Sequence, residues 1–302
     1  MKVYLDCFPC FLRQTLDAVR FVTQDEKIHE EVVRQVLELV SCTDARHTPP
    51  AIGQQIHRVI RRVTGNRDPY RGRKHGSNTL ALKLYPSLRD RIRESRHPLE
   101  TAVRLAIAGN VIDFGIYSSL AATDVTGAVE SALANGWDAG CLEEFTQAVN
   151  DAHTILYIGD NAGEVVFDRL LIEQLPHEKV TFAVKGSPVI NDATLEDAEM
   201  AGLTGLVEVV ENGSDAPGTI LEDCSAEFRE RFERSDLIIA KGQGNYESLS
   251  GVDKDVFFIL KAKCPVIAAD LDCDIGQMIL RRSGGASRAI PCDRKEQTDA
   301  KP

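Results

Sequence analysis

The chain has 302 residues, of which 43% are hydrophobic and 27% charged, a composition typical of soluble globular proteins and unlike disordered or fibrous chains. Its 35 basic and 46 acidic side chains give a net charge of −11, which argues against a general binder of nucleic acids or anionic membranes. Asp6 interrupts the start of the chain, where a signal peptide needs an unbroken apolar run. We therefore expect a cytoplasmic protein that does not enter a membrane.

The first half of the chain has helical periodicity. Apolar residues recur at the spacing of one helix face over 28–40 and over 52–63, and no strand is predicted before about Thr154. This pattern predicts an all-α N-terminal domain over residues 1–150.

Basic residues are concentrated in the second part of this predicted domain. Between Arg58 and Arg96, twelve Lys or Arg residues accompany three acidic ones, in an otherwise acidic protein. Such a segment either faces an anionic substrate or an acidic partner, or it forms solvated helix faces, which is the commoner outcome.

Short β-branched runs alternate with helix-length segments in the second half. The predicted strands cover 155–158, 180–184, 206–210, 237–240, 256–260 and 266–269. Strands that alternate with helices indicate an α/β fold with a parallel, doubly wound sheet. We predict this domain over residues 151–282 and a flexible, charged tail over 283–302.

Metal-type oxygen donors follow two of the predicted strands. Asp160 and Asn161 come directly after the first strand, and Asp192 lies beyond the second. Ligands of open α/β sheets bind beyond the carboxyl ends of the strands, and oxygen-only donors favour a cation such as Mg²⁺ or Mn²⁺ over zinc. Each aspartate alone is equally well explained as the N-cap of a helix.

Further polar residues in these turns favour a phosphate site over simple capping. Three lysines stand at or just after strand ends: Lys185, Lys241 and Lys261. Glycine-rich helix starts, whose free N–H groups favour anions, accompany them. Other polar or glycine residues of the turns are Glu164, Gly213, Ser214 and Asn245.

Four ordered motifs resemble the damage-control phosphatase family, the ARMT-like metal-dependent phosphatases formerly described as a domain of unknown function. They are GDNAGE at 159–164, VKGSPVINDA at 184–193, AKGQGNYE at 240–247 and LKAKCP at 260–265. CFPC at 7–10 and GNVIDFG at 109–115 are similar to the prokaryotic CxxC-bearing branch. The resemblance covers nearly the whole chain except the tail.

This resemblance implies a helical N-terminal part packed on a Rossmann-like three-layer domain with a mostly parallel sheet, and an active site between them. It implies that Asp160, Asn161 and Asp192 carry the metal and that Lys261 contacts the substrate phosphate. Lys263 is the alternative to Lys261, since strand alternation puts both on one face. The residues of the helical-domain motif that face the site would be Asn110 and Asp113.

We therefore predict an enzyme that hydrolyses small phosphate monoesters, such as sugar phosphates or damaged phospho-metabolites, with one divalent cation: Mg²⁺, Mn²⁺, Co²⁺ or Ni²⁺. The attacking group is either a metal-bound water oriented by Glu164 or Asp113, which we favour, or the carboxylate of Asp160. The sequence leaves the exact ester and the oligomeric state open. The predicted substrate or phosphate contacts are Asn110, Asp113, Lys185, Gly213, Ser214, Lys241 and Asn245.

A haloacid dehalogenase-like phosphatase is an alternative. A predicted strand runs into Asp270 and Asp272, a D-x-D sequence in which Asp270 would be the nucleophile. That family needs Thr or Val two residues after the second aspartate, where this chain has Asp274.

A redox or zinc-binding regulator built on Cys7 and Cys10 is an alternative of another class. Eight cysteines without an export signal are typical of reduced thiols. A redox CxxC normally follows a strand, and a zinc site needs two further ligands, for which Cys42 and Cys264 are the candidates. We favour a structural or accessory role for the pair.

Overall fold

The structure is a computed structural model that describes residues 1–44, 46–111 and 139–284, and between them residues 127, 129–131 and 133–134. Six long helices lie before the first strand in these residues. They are α1 (Cys7–Val22), α2 (Glu26–Ser41), α3 (Pro49–Thr64), α4 (Arg71–Glu94), α5 (Pro98–Val111) and α6 (Ala139–Asp151). Across the described ranges, no helix combines the length and the apolar character needed to cross a membrane.

The apolar stripes that predict these helices are buried in a common cluster. Helix α2 begins after Asp25, whose side chain accepts a hydrogen bond from the backbone amide of Lys27 at 2.9 Å. Helix α3 begins after Thr48 and ends at Gly65. Burial of one face of each amphipathic helix holds this part together. The buried apolar residues of α2 and α3 are Val32, Val36, Val40, Ile52, Ile56, Val59 and Ile60.

A six-stranded sheet and its helices form the second half of the chain. The strands are β1 (Ile155–Ile158), β2 (Val180–Val184), β3 (Glu208–Glu211), β4 (Leu237–Lys241), β5 (Val256–Lys261) and β6 (Met278–Arg282). The helices are α7 (Glu164–Ile172), α8 (Leu195–Met200), α9 (Ala226–Arg234), α10 (Gly242–Leu249) and α11 (Pro265–Leu271). Short 3-10 turns cover His177–Lys179, Leu203–Gly205 and Leu221–Asp223.

The strand order is β3-β2-β1-β4-β5-β6. The pairs between β1, β2, β3, β4 and β5 are parallel, and β6 runs antiparallel to β5. Because the chain proceeds outward from β1 first in one direction and then in the other, a crevice opens beyond the carboxyl ends of β1 and β4. The α/β class with a mostly parallel sheet is therefore as predicted.

Helices cover both faces of the sheet. Ile155 and Tyr157 of β1 belong to one apolar core, which includes residues of α5, α6 and α7, while Leu156 and Ile158 belong to a second core. That second core contains Phe228 of α9 and residues of α10 and α11. Successive side chains of a strand point to opposite faces, so the arrangement has three layers.

The expected strand at 266–269 is wrong, because this segment lies in helix α11. Pro265 occupies the first turn of the helix, and Ile267, Ala268 and Leu271 share its buried face. A short apolar run does not distinguish a strand from a buried helix. Asp270 is consequently on an exposed helix surface and not at the end of a strand, which removes the premise of the haloacid dehalogenase-like alternative.

Other boundaries differ in detail. Strand β3 begins two residues later than the predicted run at 206–210, and β6 was not predicted. Ser283 follows β6, and its Oγ donates to the carbonyl of Lys254 at 2.6 Å. The division into 1–150 and 151–282 stays a prediction, and residues 285–302 of the predicted tail lie outside the described residues.

Candidate active site

The three predicted metal ligands lie on two adjoining turns. Asp160 and Asn161 follow β1, and Asn161 forms an isolated antiparallel bridge with Asp192. The backbone amide of Ala193 donates to the carbonyl of Asp160 at 2.8 Å. These bonds bring the carboxyl ends of β1 and β2 together, so the three side chains share one location.

The three side chains are nearly removed from solvent, with exposed fractions of 8% for Asp160, 6% for Asn161 and 4% for Asp192. Asn161 Nδ2 donates to Asp160 Oδ2 at 2.8 Å and to Glu164 Oε2 at 3.1 Å. Glu164 stands at the start of α7, one helical turn beyond Asn161. An amide whose nitrogen faces two carboxylates presents its carbonyl oxygen in the opposite direction.

Two lysines balance part of the negative charge of this cluster. Lys185 Nζ lies 3.3 Å from Asp192 Oδ2 and donates to the carbonyl of Gly218. Lys241 Nζ donates to the carboxylates of Glu164 and Asp168. Both lysines are buried, so neither ammonium group is hydrated like a surface lysine.

The electrostatics of Asp160 reflect an excess of negative charge. Burial raises its pKa well above the usual range, and the negative charges of Glu164 and Asp192 raise it further. Lys263 and Lys185 act in the opposite direction. A cation at this position would therefore stabilise the ionised carboxylate.

Two further lysines, Lys261 and Lys263, lie at and just beyond the end of β5. Lys261 is half-buried at the end of the strand, and burial, with the neighbouring charge of Lys263, lowers its pKa. Of these two lysines, Lys263 is the one whose charge lowers the pKa of Asp160. Two ammonium groups close to each other favour an anion between them.

Lys241, at the end of β4, was expected to contact phosphate, but its ammonium group lies among acceptors of the protein itself. Lys241 Nζ donates to the carbonyl of Ala106 at 3.0 Å as well as to Glu164 and Asp168. An ammonium group has three protons, and all are directed at these acceptors. Burial lowers the pKa of Lys241, but Asp168 and Glu164 outweigh this effect and raise it.

The polar residues of the other turns have internal partners. Ser214 Oγ donates to Asp223 Oδ2 at 2.5 Å, and Gly213 packs beside it against Ser225. Asn245 Nδ2 donates to the backbone carbonyls of Gly159 and Lys241, at 3.1 and 2.7 Å. These side chains hold the turns together instead of facing the crevice with free donors.

The side chains of both residues of the helical-domain motif lie outside the described part of the chain. Asn110 is within α5, but its side chain and all of Asp113 lie outside the described residues. Their role at the site stays a prediction.

The basic segment holds the helical part against the site. Arg58 and Arg61 both pair with Asp215, in the turn after β3, and their contacts include a distance of 2.6 Å from Arg58 Nη2 to Asp215 Oδ1. Asn78 Nδ2 donates to Asp197 at 2.8 Å, and its Oδ1 accepts from the backbone amide of Gly163 at 2.6 Å. Part of the local positive charge is thus neutralised within the chain.

Asp168 is a site-associated residue that sequence reasoning missed. Its Oδ1 accepts hydrogen bonds from Tyr157 and Lys241, both at 2.7 Å. Burial raises its pKa to about 6, and Glu164 also raises it, against the effect of Lys241. The available signal was an acidic residue four positions after Glu164, on the same face of a mainly apolar helical run.

The donor set is two aspartates and one asparagine. Within the described part of the chain, no three His, Cys, Asp or Glu side chains are grouped as metal ligands. The candidate site therefore depends on the amide oxygen of Asn161 and on oxygen donors alone, the chemistry that suits hard divalent cations.

Comparisons with known proteins agree with the sequence motifs and the fold. The model of the damage-control phosphatase ARMT1-like domain matches residues 3–279. A damage-control phosphatase of Pyrococcus horikoshii is 37% identical over 288 residues, covering 94% of this chain and 99% of the relative. One of Archaeoglobus fulgidus is 32% identical over 288 residues, with coverage of 93% and 99%.

A solved structure has the same overall arrangement. The crystal structure of a DUF89 family protein from Pyrococcus horikoshii superposes with a TM-score of 0.85 at 36% sequence identity, covering 94% of this chain and 99% of that one. The family resemblance stated from the motifs is confirmed over nearly the whole chain. The chain belongs to the family of damage-control phosphatases with an ARMT1-like domain.

Proposed function

We propose that this chain is a metal-dependent phosphatase that hydrolyses small phosphate monoesters, with one divalent cation held by Asp160, Asn161 and Asp192. The observation that carries the proposal is the charge of the buried cluster. With every group ionised, four buried carboxylates and two buried ammonium groups would leave two negative charges in excess. Because uncompensated buried charge is costly, a doubly charged cation fits this cluster. The charged groups are Asp160, Glu164, Asp168, Asp192, Lys185 and Lys241.

The donor chemistry supports a hard or borderline cation. Carboxylate and amide oxygens suit Mg²⁺ and Mn²⁺, and Co²⁺ and Ni²⁺ can replace them at such a site. When bound, the ion would withdraw negative charge from the phosphoryl oxygens as the ester bond breaks.

The lysines after β5 are the best-placed groups for the substrate phosphate. Lys241 and Lys185 are buried, whereas Lys261 and Lys263, at and just beyond the end of β5, are half-buried. Their mutual repulsion would be relieved by a bound anion. We assign the phosphate contact to Lys261 and Lys263. Of the two, Lys263 is the lysine whose charge lowers the pKa of Asp160.

Water is the nucleophile that the geometry favours. Asp160 packs against the α-carbon of Gly242, and its Oδ2 accepts the hydrogen bond from Asn161. A carboxylate held in this way has little freedom to approach phosphorus in line with the leaving group. Isolation of a phosphorylated Asp160 would contradict this assignment.

The names of the relatives support small damaged phospho-metabolites as substrates, and sugar phosphates share the same reacting group. The net charge of −11 argues against polymeric nucleic-acid substrates.

The test is a panel of phosphate esters assayed with Mg²⁺, Mn²⁺, Co²⁺ and Ni²⁺ on the wild type, Asp160→Ala and Asp192→Ala. We expect hydrolysis that requires a metal and falls at least about 100-fold in both variants. Asp270→Asn is the matched control, since this carboxylate is exposed and accepts a hydrogen bond from Tyr246 at 2.6 Å, away from the candidate ligands. Activity that needs no metal, or that survives both alanine variants, would overturn the proposal.

A further inference from the structure

A chain of buried polar contacts runs from the interior of the fold to the candidate cation site. It begins at Tyr157 of β1, whose hydroxyl donates to Asp168 Oδ1 at 2.7 Å. Lys241 Nζ donates to the same oxygen at 2.7 Å and also to Glu164 Oε1. The other oxygen of Glu164 accepts from Asn161 Nδ2 at 3.1 Å. Contacts of this kind transmit the position of one side chain to the next.

Each of these hydrogen bonds restricts the side chain that makes the next one. The ammonium group of Lys241 has three protons, directed at Ala106, Glu164 and Asp168, so it holds Glu164 Oε1 in a defined position. With Oε1 held, Oε2 of Glu164 faces the amide of Asn161. That oxygen accepts only, so it requires the NH₂ group of Asn161 and excludes the carbonyl oxygen.

Lys241 compensates the charges of two neighbouring carboxylates, Glu164 and Asp168. Asp168 lies one helical turn after Glu164 on α7, and both carboxylates are buried. Two like charges at this spacing repel each other, and Lys241 lies between them as the shared counter-charge. Helices α5 and α7 and strand β4 are joined through this single ammonium group.

We propose that Lys241 and Asp168 are positioning residues: they hold Glu164 so that it orients the Asn161 amide, whose carbonyl oxygen then faces the cation. This assignment rests on the proposed function, because it concerns the same cation site. It gives Glu164 and Lys241 a role within the protein instead of a contact with water or phosphate.

The substitution Glu164→Gln creates a donor conflict that tests the idea. Lys241 would demand the carbonyl oxygen of the new glutamine, which turns the glutamine NH₂ group toward the NH₂ group of Asn161. The Asn161 amide must then turn or move, and the cation loses an oxygen donor. Adding Lys241→Met removes this demand while preserving the net charge, so the glutamine can present its carbonyl oxygen to Asn161 again.

The experiment is a titration of metal-free protein with Mn²⁺, followed by electron paramagnetic resonance, on the wild type, Glu164→Gln and Glu164→Gln/Lys241→Met. We expect the single variant to lose at least tenfold in Mn²⁺ affinity and the double variant to regain most of it. Unfolding in urea, measured without metal, checks that each variant is folded. A purely structural role for Lys241 predicts that the second substitution lowers Mn²⁺ affinity further. A folded double variant that binds Mn²⁺ no more tightly than the single variant overturns the proposal.

Asp168→Asn is the second test if the double variant does not fold. Oδ1 of the new asparagine can still accept from Tyr157 and Lys241, but the negative charge that Asp168 presents to Lys241 is lost. We therefore expect a severalfold fall in Mn²⁺ affinity. The Michaelis constant for the ester at saturating metal should stay unchanged, and unchanged Mn²⁺ affinity overturns the inference.

If the wild type itself neither binds Mn²⁺ nor hydrolyses esters, the proposed function fails. If it does both and the variants bind Mn²⁺ equally well, only the positioning role fails.

Discussion

The carboxylate of Asp160 lies directly against the α-carbon of Gly242: a β-carbon on Gly242 would stand 1.8 Å from Asp160 Oδ2. Gly242 also has a φ of 81°, a backbone conformation that other residues adopt at a cost. The turn after β4 can therefore approach the turn after β1 only with glycine at this position. This contact limits where the Asp160 carboxylate can lie.

We predict that Gly242→Ala displaces Asp160 and lowers Mn²⁺ affinity at least about tenfold, because the new methyl group occupies the place of the carboxylate. Gly65→Ala is the matched control: Gly65 has a φ of 68° but nothing within 4 Å of the added carbon. Both variants should lose about 1–2 kcal/mol of unfolding free energy from backbone strain, measured in urea. If Gly242→Ala binds Mn²⁺ like the wild type, the contact does not position the ligand.

The ion cluster around Asp215 should contribute to the stability of the whole chain. Gln54, Arg58 and Arg61 of α3 all contact this carboxylate, whose side chain is 15% exposed. Burial alone would raise the pKa of Asp215, but Arg58, Gln54 and Arg61 outweigh it and lower the pKa. We expect Asp215→Ala to reduce the unfolding free energy by about 1–3 kcal/mol, since Gln54 and Arg61 lose a partly buried acceptor and keep Asp223 and the carbonyl of Pro188 as partners.

Urea unfolding at pH 7 measures this effect. The control is Asp44→Ala, which removes a carboxylate whose pair with Arg46 is exposed to solvent. Similar unfolding midpoints for the two variants would show that the cluster adds nothing beyond an exposed ion pair.

The buried imidazole of His57 predicts a loss of stability in mild acid. Burial lowers its pKa to about 4, and Arg61 lowers it too, while Asp215 opposes this. The unfolded imidazole takes up its proton near pH 6.5, so between these values the unfolded state binds more protons than the folded one. Its contribution is complete above pH 6.5 and falls as the pH drops toward 4, by on the order of 3 kcal/mol.

Removing the titrating ring should flatten this dependence. In the described residues His57 Nε2 has no hydrogen-bond partner, and the ring packs 6.2 Å from that of Tyr70, so His57→Phe keeps an aromatic ring in place. The measurement is the unfolding free energy in urea at several pH values between 4.5 and 7. The exposed His153, changed to Phe, serves as control, and an unaltered slope for His57→Phe would refute the prediction.

The thiols near the start of the chain should have no enhanced reactivity. Burial raises the pKa of Cys7 and of Cys10, and the neighbouring Cys264 raises both further. A protonated thiol is a poor nucleophile, so iodoacetamide should label these cysteines at pH 7 no faster than free cysteine. The double variant Cys7→Ser/Cys10→Ser should keep the full phosphatase activity. Fast labelling, or about one zinc ion per purified chain, would favour the redox or zinc-binding alternative instead.

Much of the fold follows from local patterns in the chain. The runs at 155–158 and 180–184 coincide with β1 and β2, because each is a short run rich in β-branched and aromatic residues between turn residues. The run at 266–269 is also short and apolar but follows Cys264 and Pro265, and it forms a helix against the sheet. Composition alone does not separate these two outcomes, since packing on the neighbouring layer selects between them.

The candidate ligands follow from their order along the chain, because the carboxyl ends of parallel strands always meet at one edge of a sheet. Asp160, Asn161 and Asp192 are therefore recognisable as neighbours from the strand pattern together with the motifs. The roles of the lysines are not recognisable in this way. Whether Lys241 meets phosphate or Glu164 and Asp168 depends on which side chains the other elements bring within 3 Å of its ammonium group, and only the packed chain establishes that.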